Sequence, residues 1–129
     1  MSTAQDTARD TAQDLAARYA AVWNESDAAT RREMIAGLWR PDGLHFVKDR
    51  EARGYADLDR RIVGAYQKNV RDNGNRFRAR ADAQRLRDVV TFTWEMVPAG
   101  ADTVLAIGLE VLVLDGEDRI VTDYQFIIA

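Results

Sequence analysis

The first half of the chain has the hydrophobic spacing of amphipathic helices. Apolar residues recur at intervals of three and four in three stretches, Leu15 to Trp23, Met34 to Leu38 and Tyr55 to Val70. Residues suited to a helix N-cap lie at Asn24 to Asp27, between the first two stretches. Asn73-Gly74 provides a stop signal after the third. The pattern therefore predicts three helices.

Two short segments separate the second predicted helix from the third. Arg40 to Gly43 has the composition of a turn, and Leu44 to Lys48 is a candidate strand. Asp49 to Arg53 is highly charged, and we interpret it as a connection into the third helix, which follows Gly54. The helical half is thus predicted to contain one short strand.

From residue 76 onward the hydrophobic period changes to two, which is typical of strands with one buried face. The predicted strands are Arg76–Gln84, Val89–Val97, Val104–Leu114 and Ile120–Ile128, with turns at Pro98–Ala101 and Asp115–Asp118. Short turns between consecutive strands indicate an antiparallel meander. The whole pattern predicts an α+β fold, in which a curved antiparallel or mixed sheet is wrapped by the helices around an apolar wedge.

Length and a short repeat define the domain organisation. A chain of 129 residues has the size of one domain, and 47% hydrophobic residues suffice for a core. The tetrad Thr-Ala-x-Asp occurs three times in succession within residues 3–14. Because a period of four drifts slowly around a helix, Asp6, Asp10 and Asp14 should form a solvated stripe. We predict a helical N-terminal extension at residues 1–14 and a single domain at residues 15–129.

Charge and hydropathy narrow the classes of partner. The formal net charge is -3, so a general attraction to nucleic acid is not expected. The longest apolar run, Val104 to Leu114, is interrupted by Glu110 and is shorter than the roughly 20 residues that span a bilayer, so no membrane partner is expected. The chain has no cysteine, and we expect a cytoplasmic protein.

Six short motifs follow one another along the chain. They are RYAAVWNESD at residues 18–27, LWRPDG at 38–43, RGYADL at 53–58, FTWEMVPAG at 92–100, GLEVLVLDGEDRI at 108–120 and TDYQF at 122–126. Together with the order of elements, they resemble the SnoaL-like branch of the nuclear transport factor 2-like superfamily over about residues 15–128. The resemblance implies a cone-shaped α+β barrel and frequent homodimers. It also implies a range of activities, among them isomerases, polyketide cyclases, dehydratases, epoxide hydrolases and non-catalytic binding modules.

The ketosteroid isomerase-like members of that superfamily carry a catalytic aspartate on the first strand. This chain has His45-Phe46-Val47 at roughly that place, and Asp49 lies slightly beyond it. The resemblance therefore supplies no carboxylate at this position. It argues against the isomerase form of the activity.

His45 is the first candidate for chemistry, and it is the only histidine in the chain. A histidine on the first strand can act as a general base near neutral pH if it faces the wedge. The alternative is a hydrogen-bonded histidine at the edge of the sheet. With one histidine and no cysteine, we expect no metal site, and no motif indicates a cofactor.

Glu110 and Asp123 are the second and third candidates. Glu110 interrupts an apolar strand, where a carboxylate needs a partner or a proton. A four-residue loop at Asp115 to Asp118 would place Glu110 directly across from Asp123, and a register shifted by one residue would place Tyr124 there instead. A solvent-facing or arginine-paired Glu110 is the remaining alternative. Alternation allows Asp123 with Gln125 to face inward, or Tyr124 with Phe126, but not both sets.

Large apolar and amphipathic side chains are expected to form the wall of a pocket, although aromatic residues at helical spacing are more often part of the core. The expected wall residues are Tyr19, Trp23, Trp39, Tyr55, Leu58, Ile62, Tyr66, Trp94, Met96, Tyr124 and Gln125.

Three functional hypotheses follow. The first is a domain that binds a small, mostly apolar metabolite, with no assigned reaction. The second is a cofactor-independent enzyme in which His45, Glu110 or Asp123 moves a proton on a carbonyl or epoxide substrate. The third is an association module. One face of the Val104–Leu114 strand carries only apolar residues and must be covered, so a homodimer through the sheet is expected.

Overall fold

Three helices precede most of the sheet, as the hydrophobic pattern predicts. The computed structural model describes the backbone of residues 3–129 and the side chains of residues 11–129. The helices are α1 (Thr3–Asn24), α2 (Ala28–Leu38) and α3 (Gly54–Ala65). Within the described part of the chain, no helix has both the length and the apolar character needed to cross a membrane. The cytoplasmic location stays a prediction.

The helix boundaries follow from local chemistry. The Asp27 side chain caps α2 by accepting a hydrogen bond from Thr30 N, at 2.9 Å. α3 continues without a break as a π-helical segment, Tyr66–Asp72, and the chain reverses at Gly74, whose φ of 67° suits a residue without a Cβ. The predicted stop at Asn73-Gly74 is confirmed.

The predicted N-terminal extension belongs to the same continuous helix as the domain. Asp6 and Asp10 lie outside the residues whose side chains are described, and Asp14 is exposed. Ala12 is already buried, and the Gln13 amide hydrogen-bonds to the backbone of the loop at residues 80–83. Packing therefore begins inside the predicted extension, and the boundary at residue 15 stays a prediction.

The seven strands form one curved sheet. They are β1 (Trp39–Val47), β2 (Arg50–Arg53), β3 (Asn75–Ala79), β4 (Gln84–Leu86), β5 (Val89–Pro98), β6 (Ala106–Leu114) and β7 (Ile120–Ile127). Their order is β2-β1-β7-β6-β5-β3, with β4 paired to β5. The β1 and β7 strands are parallel, and all other neighbours are antiparallel. The α+β class and the meander of β5, β6 and β7 are confirmed.

Two segments before α3 differ from the prediction. The predicted turn at Arg40 to Gly43 lies inside β1, where the ladder to β7 shifts register between Trp39 and Leu44. The predicted connection at residues 49–53 forms β2, because a tight turn at Lys48, with a φ of 53°, folds it back onto β1. These segments are short and charged, and strand pairing overrides their turn-like composition.

The predicted strand Arg76–Gln84 is split into β3 and β4. Asp82 lies in the gap and accepts a hydrogen bond from Thr93 N at 3.0 Å, and a second from the Thr93 hydroxyl. A side chain therefore takes the place of a backbone acceptor in the ladder to β5, and the chain bends there.

The core lies between the concave face of the sheet and the helices. β5 alternates between half-buried and buried residues from Val89 to Trp94, and β6 does so from Ile107 to Leu114, as a sheet with one covered face should. The largest apolar side chains in this layer are fully buried: Tyr19, Ile35, Leu38, Trp39, Leu58, Ile62, Phe92, Leu112 and Ile120. At one end of this layer the packing is incomplete, and a cavity remains.

Candidate functional site

The cavity opens between α1, α3 and the concave face of the sheet. Its volume is about 750 Å³, which is enough for a small organic molecule. Buried side chains form its floor, among them Tyr19, His45 and Glu110, and exposed charged side chains form its rim, among them Arg50 and Lys68. The cavity therefore has a dry end and a wet end.

His45 and Asp123 are brought together by the parallel pairing of β1 with β7. The two residues are direct partners in that ladder, and both are buried. His45 Nδ1 lies 2.8 Å from Asp123 Oδ2. Because an ionised carboxylate only accepts hydrogen bonds, Nδ1 must carry the proton when Asp123 is charged. The neutral imidazole then has its lone pair on Nε2.

Glu110 reaches the same cluster from β6, although neither predicted register is correct. Glu110 pairs with Gln125, and Asp123 pairs with Leu112. The turn spans Asp115 to Arg119, one residue longer than predicted, and a bulge follows at Val113 and Leu114. The total shift is two residues, which preserves the face of every side chain, so Glu110 and Asp123 are diagonal neighbours on the buried side.

A glycine makes room for the partner of Glu110. Gly108 lies opposite Trp94 in the β5–β6 ladder, and a Cβ at Gly108 would overlap the Trp94 indole. The ring therefore lies flat across β6, where Trp94 Nε1 donates to Glu110 Oε1 at 2.8 Å. The absence of a side chain at Gly108 thus fixes one oxygen of the buried carboxyl group.

Tyr19 completes the cluster from α1. Its hydroxyl donates to Asp123 Oδ2 at 2.6 Å, and the residue is 2% exposed. Burial raises the pKa of Tyr19 well above its ordinary value, and the neighbouring charges of Asp123 and Glu110 raise it further. Tyr19 is therefore a neutral hydrogen-bond donor in this site.

The two carboxyl groups are in different protonation states. Burial raises the pKa of Glu110 well above its ordinary value, and the charge of Asp123 raises it further. Burial alone would also raise the pKa of Asp123, but the charge that His45 carries when it is protonated, and hydrogen bonding with Glu110, His45 and Tyr19, lower it overall. Glu110 therefore holds a proton and Asp123 is the anion.

This assignment also satisfies two buried oxygens. Glu110 Oε2 and Asp123 Oδ1 have no hydrogen-bond donor among the described residues if both groups are ionised. A proton on Glu110, shared with Asp123, gives each oxygen a partner. Asp123 then accepts from Tyr19, His45 and Glu110.

The same three residues also have the composition of a metal-binding group. Ligand atoms of His45, Glu110 and Asp123 lie within 4.8 Å of one another, which the sequence did not indicate. A borderline cation accepts one imidazole and two carboxylates. Two of the four carboxylate oxygens, however, already accept hydrogen bonds from Tyr19 and Trp94. The proton on Glu110 provides the charge balance that a cation would otherwise supply.

Polar atoms without a protein partner remain in side chains that line the cavity. His45 Nε2, Trp23 Nε1 and Arg61 Nε are buried and have no hydrogen-bond partner within the described residues. An unpaired buried polar atom is costly, and a ligand can satisfy it. One acceptor and two donors are therefore available to a bound molecule.

Arg61 is a cavity residue that the sequence analysis missed. Its Cζ lies 5.1 Å from the centre of the Trp23 ring, in a cation–π contact. Burial lowers its pKa, and the neighbouring charge of Arg50 lowers it further, but an arginine remains charged at any physiological pH. Its spacing of three from Leu58 and four from Ala65 placed it on the inward side of α3, which was the available signal.

Several residues of the predicted pocket wall do line the cavity: Tyr19, Trp23, Trp94, Met96 and Gln125. The last strand presents Asp123 and Gln125 to the inside, which settles the alternation that the sequence left open. Asp123 is buried behind His45 and does not line the cavity.

The other predicted wall residues lie elsewhere. Trp39, Leu58 and Ile62 are at most 1% exposed and fill the core. Tyr55 donates to the Trp39 carbonyl at 2.8 Å, and Tyr66 is half-buried outside the cavity wall. Aromatic and aliphatic residues at helical spacing therefore serve mainly as packing here.

Tyr124 was also predicted to line the pocket, and it lies on the opposite side of the sheet. It is 42% exposed and stacks on Phe46, its partner in the β1–β7 ladder, with ring centres 5.6 Å apart. Because Asp123 and Gln125 point inward, alternation directs Tyr124 outward.

Fold and site together define a class: a small cone-shaped α+β domain with a histidine–carboxylate cluster at the floor of a cavity. This is the SnoaL-like and nuclear transport factor 2-like fold, as the sequence motifs indicated. A SnoaL-like family protein from Agrobacterium tumefaciens, named as a candidate isomerase, superposes with a TM-score of 0.83 at 24% identity, covering 93% of this chain and 99% of that one.

Two further solved structures share the fold. A candidate polyketide cyclase from Sinorhizobium meliloti has a TM-score of 0.68 at 11% identity, covering 92% of this chain and 98% of that one. A protein of unknown function with a cystatin-like fold from Methylobium petroleophilum has a TM-score of 0.67 at 20% identity, covering 94% and 78%. No family model and no curated protein matches the sequence. At these identities the likeness defines the fold, and the reaction remains unassigned.

Proposed function

We propose that the chain is a cofactor-independent acid–base enzyme that moves a proton on a small carbonyl compound. The observation that carries the proposal is the His45–Asp123 pair, with Nδ1 held at 2.8 Å from the carboxylate and Nε2 left without a protein partner beside the cavity. An imidazole oriented by a carboxylate is a recurrent form of general base.

The proton transfer follows from this geometry. His45 Nε2 takes a proton from a carbon next to the carbonyl group. The C–H electron pair forms a carbon–carbon double bond, and the π pair of the carbonyl group moves onto its oxygen, which gives an enolate. The imidazolium that forms is stabilised by the Asp123 anion. Return of the proton to a different atom completes an isomerisation, and its return to the same carbon regenerates the substrate. Asp123 is a positioning residue, because it acts through His45.

Two further polar groups beside the cavity have roles in this reaction, Glu110 and Trp23. Glu110 keeps its proton and hydrogen-bonds to Asp123, so that the cluster carries one negative charge rather than two. Trp23 Nε1, buried and unpaired, is the group we assign to the enolate oxygen. The Trp23 ring lies 5.7 Å from the His45 ring, so one small substrate can contact both.

Proton exchange at carbon tests the proposal directly. A panel of small aryl ketones and enones is incubated with the protein in D₂O, and deuterium uptake next to the carbonyl group is followed by NMR. We expect His45→Ala to lower the exchange rate by about 10²–10⁴-fold. Added imidazole should restore part of the rate, because the truncation leaves space for it. Arg32→Gln, a surface change outside the cavity, should leave the rate unchanged.

Two results would overturn the proposal. One is exchange by His45→Ala at the unaltered rate. The other is a rate that disappears after dialysis against a chelator and returns with a divalent cation, which would assign the cluster to metal binding instead.

We also propose that the outer face of the sheet forms a homodimer. Leu105, Tyr124 and Phe126 are 49%, 42% and 54% exposed on that face, next to the half-buried Ile107, Leu109, Val111 and Val113. A continuous apolar face of this kind supports association. Light scattering should give twice the mass of 14.5 kDa, and Phe126→Glu should halve it. A monomeric parent protein would contradict the dimer.

A further inference from the structure

The rim of the cavity carries more positive charge than it can neutralise. The basic side chains that line it are Arg50, Arg60, Arg61 and Lys68, and the acidic ones are Glu51 and Asp57. The acids already have partners, since Glu51 pairs with Arg53 at 3.0 Å and Asp57 with Arg60 at 2.8 Å. Within the described residues no ion pair is formed by Arg50, Arg61 or Lys68, although the chain as a whole carries a net charge of -3.

Arg61 is the innermost of these cations. Its Nε is buried without a hydrogen-bond partner, and its guanidinium is held against the Trp23 ring. Arg50 lies close enough to repel it electrostatically. Two like charges at one place are unfavourable unless an anion comes between them, and a guanidinium fork matches a planar carboxylate.

Trp23 connects this charge to the proposed base. Its ring is 5.1 Å from Arg61 Cζ and 5.7 Å from the centre of the His45 ring. A molecule whose anionic group pairs with Arg61 therefore lies along the indole, and the carbons next to that group come within reach of His45. The apolar wall residues Phe77, Trp94 and Met96 face the remainder of the molecule.

We propose that Arg61, supported by Arg50 and Lys68, is the anion-binding site of the cavity, and that the ligand is a small carboxylate with a flat apolar body. The inference rests on the proposed function for the identity of the site and adds the chemical class of the substrate. The small, mostly apolar metabolite expected from the sequence becomes an amphiphilic anion under this proposal.

Three matched probes separate charge from shape. They are 2-naphthoate, the neutral 2-naphthamide and 2-naphthyl phosphate, each titrated calorimetrically into the protein. We expect 2-naphthoate to bind at least tenfold more tightly than the amide. Tighter binding of the phosphate than of the carboxylate would assign the site to phosphate esters and overturn the carboxylate class. Equal affinities for all three, or no binding of 2-naphthoate at millimolar concentration, would overturn the anion site.

Two variants with the same change in net charge localise the effect. Arg61→Gln should weaken 2-naphthoate binding by tenfold or more and leave 2-naphthamide within twofold. Arg32→Gln removes one positive charge from the exposed surface of α2, outside the cavity, and should change neither affinity by more than twofold. If the two variants weakened 2-naphthoate binding equally, the effect would depend on net charge alone, and the assignment to Arg61 would be overturned.

Binding to His45→Ala distinguishes this inference from the proposed function. The anion site does not include the base, so the variant should retain the preference for 2-naphthoate over 2-naphthamide. Preserved binding without carbon–proton exchange in the parent protein would remove the enzymatic proposal and leave the anion site standing. Carbon–proton exchange on neutral ketones, without a preference for 2-naphthoate over 2-naphthamide, would remove the anion site and leave the enzymatic proposal standing. Arg61→Lys keeps the charge without the fork and provides a second variant if Arg61→Gln fails to fold.

Discussion

The two ends of the cavity handle charge in opposite ways. At the floor, Asp123 is buried and accepts hydrogen bonds from Tyr19 and His45, and the Glu110 carboxyl group lies beside it. At the rim, Arg61 is partly buried, and its Nε has no partner within the described residues. Burial of a charge is tolerated when the protein itself supplies the partners. The buried charge of Asp123 therefore has its partners within the protein, whereas the charge of Arg61 is left for a ligand to pair.

The largest expected effect comes from removing the charge at the floor. Asp123→Asn replaces an anion whose Oδ2 accepts from both Tyr19 and His45 by a neutral amide, whose NH₂ group must face either those two donors or the protonated Glu110. The free energy of unfolding at pH 7 should fall by about 2–4 kcal/mol, as measured by urea denaturation. Proton exchange should fall by about 10²–10⁴-fold, because the imidazole is no longer held with its proton on Nδ1.

The pH dependence of the free energy of unfolding tests whether Asp123 is ionised in the folded protein. The pKa of Asp123 is lowered in the folded state. The ionised carboxylate therefore stabilises the fold above its ordinary pKa of about 3.9, and this stabilisation is lost as the pH falls through the pKa of the folded state. The difference between the parent protein and Asp123→Asn should therefore shrink in acid. A constant difference down to pH 2 would contradict the assignment of the anion.

Overpacking at Gly108 should have the second largest effect. Gly108→Ala places a methyl group where the Trp94 indole lies and breaks its hydrogen bond to Glu110. We expect a loss of about 1–3 kcal/mol in the free energy of unfolding, together with a change in tryptophan fluorescence. Gly64→Ala is the control, because its new methyl group meets nothing within 4 Å, and it should stabilise α3 slightly. Equal effects of the two changes would exclude the proposed packing role of Gly108.

Glu110→Gln should change the free energy of unfolding only slightly in weak acid, and the change should grow as the pH rises. The amide can accept from Trp94 and donate to Asp123, as the protonated acid does, so the change near pH 5 should be below about 1 kcal/mol. The pKa of Glu110 is raised in the folded state. The protonated carboxyl group therefore contributes fully to the free energy of unfolding below about pH 4.3, and this contribution is lost as the pH rises through the pKa of the folded state. Denaturation between about pH 5 and 9 should show the variant becoming the more stable protein. Parallel curves would indicate that Glu110 is ionised throughout.

The smallest effect on stability is expected at the rim. Arg61→Gln removes a buried cation that has no ion-pair partner among the side chains of residues 11–129, and it also removes the cation–π contact with Trp23. These two changes offset each other. The free energy of unfolding should change by less than about 1 kcal/mol, while the preference for anions is lost. A loss as large as that of Asp123→Asn would mean that Arg61 is part of the structural core rather than a binding residue.

The sequence predicted the helices and the meander, because these depend on periodicity within one segment. His45, Glu110 and Asp123 were each selected as a polar residue in an apolar context. Their meeting was not predictable, since it depends on the parallel pairing of β1 with β7, which joins residues far apart in the chain. The register that would place Glu110 across from Asp123 was wrong by two residues, one from the longer turn and one from a bulge at Val113 and Leu114, and neither leaves a pattern in the sequence.

Arg61 and the wall residues show a second limit. A charged residue next to Ile62 in an amphipathic helix is ordinarily solvated, and only the bend of the sheet leaves space for it beside Trp23. Conversely, Trp39 and Leu58 were assigned to a pocket, and they fill the core. Periodicity gives the direction of a side chain from its helix, and the depth of packing at that place decides whether it reaches a cavity.

The tautomer of His45 tests the central claim most directly, and the chain has one histidine, so its ring gives a single set of ¹⁵N NMR signals. Above about pH 8, where an ordinary imidazole is neutral, we predict a protonated Nδ1 and an unprotonated Nε2. In Asp123→Asn the tautomer with the proton on Nδ1 and the tautomer with the proton on Nε2 should both be populated. A proton on Nε2 in the parent protein would contradict the account, because the atom facing the cavity would then be a donor and could not act as the base.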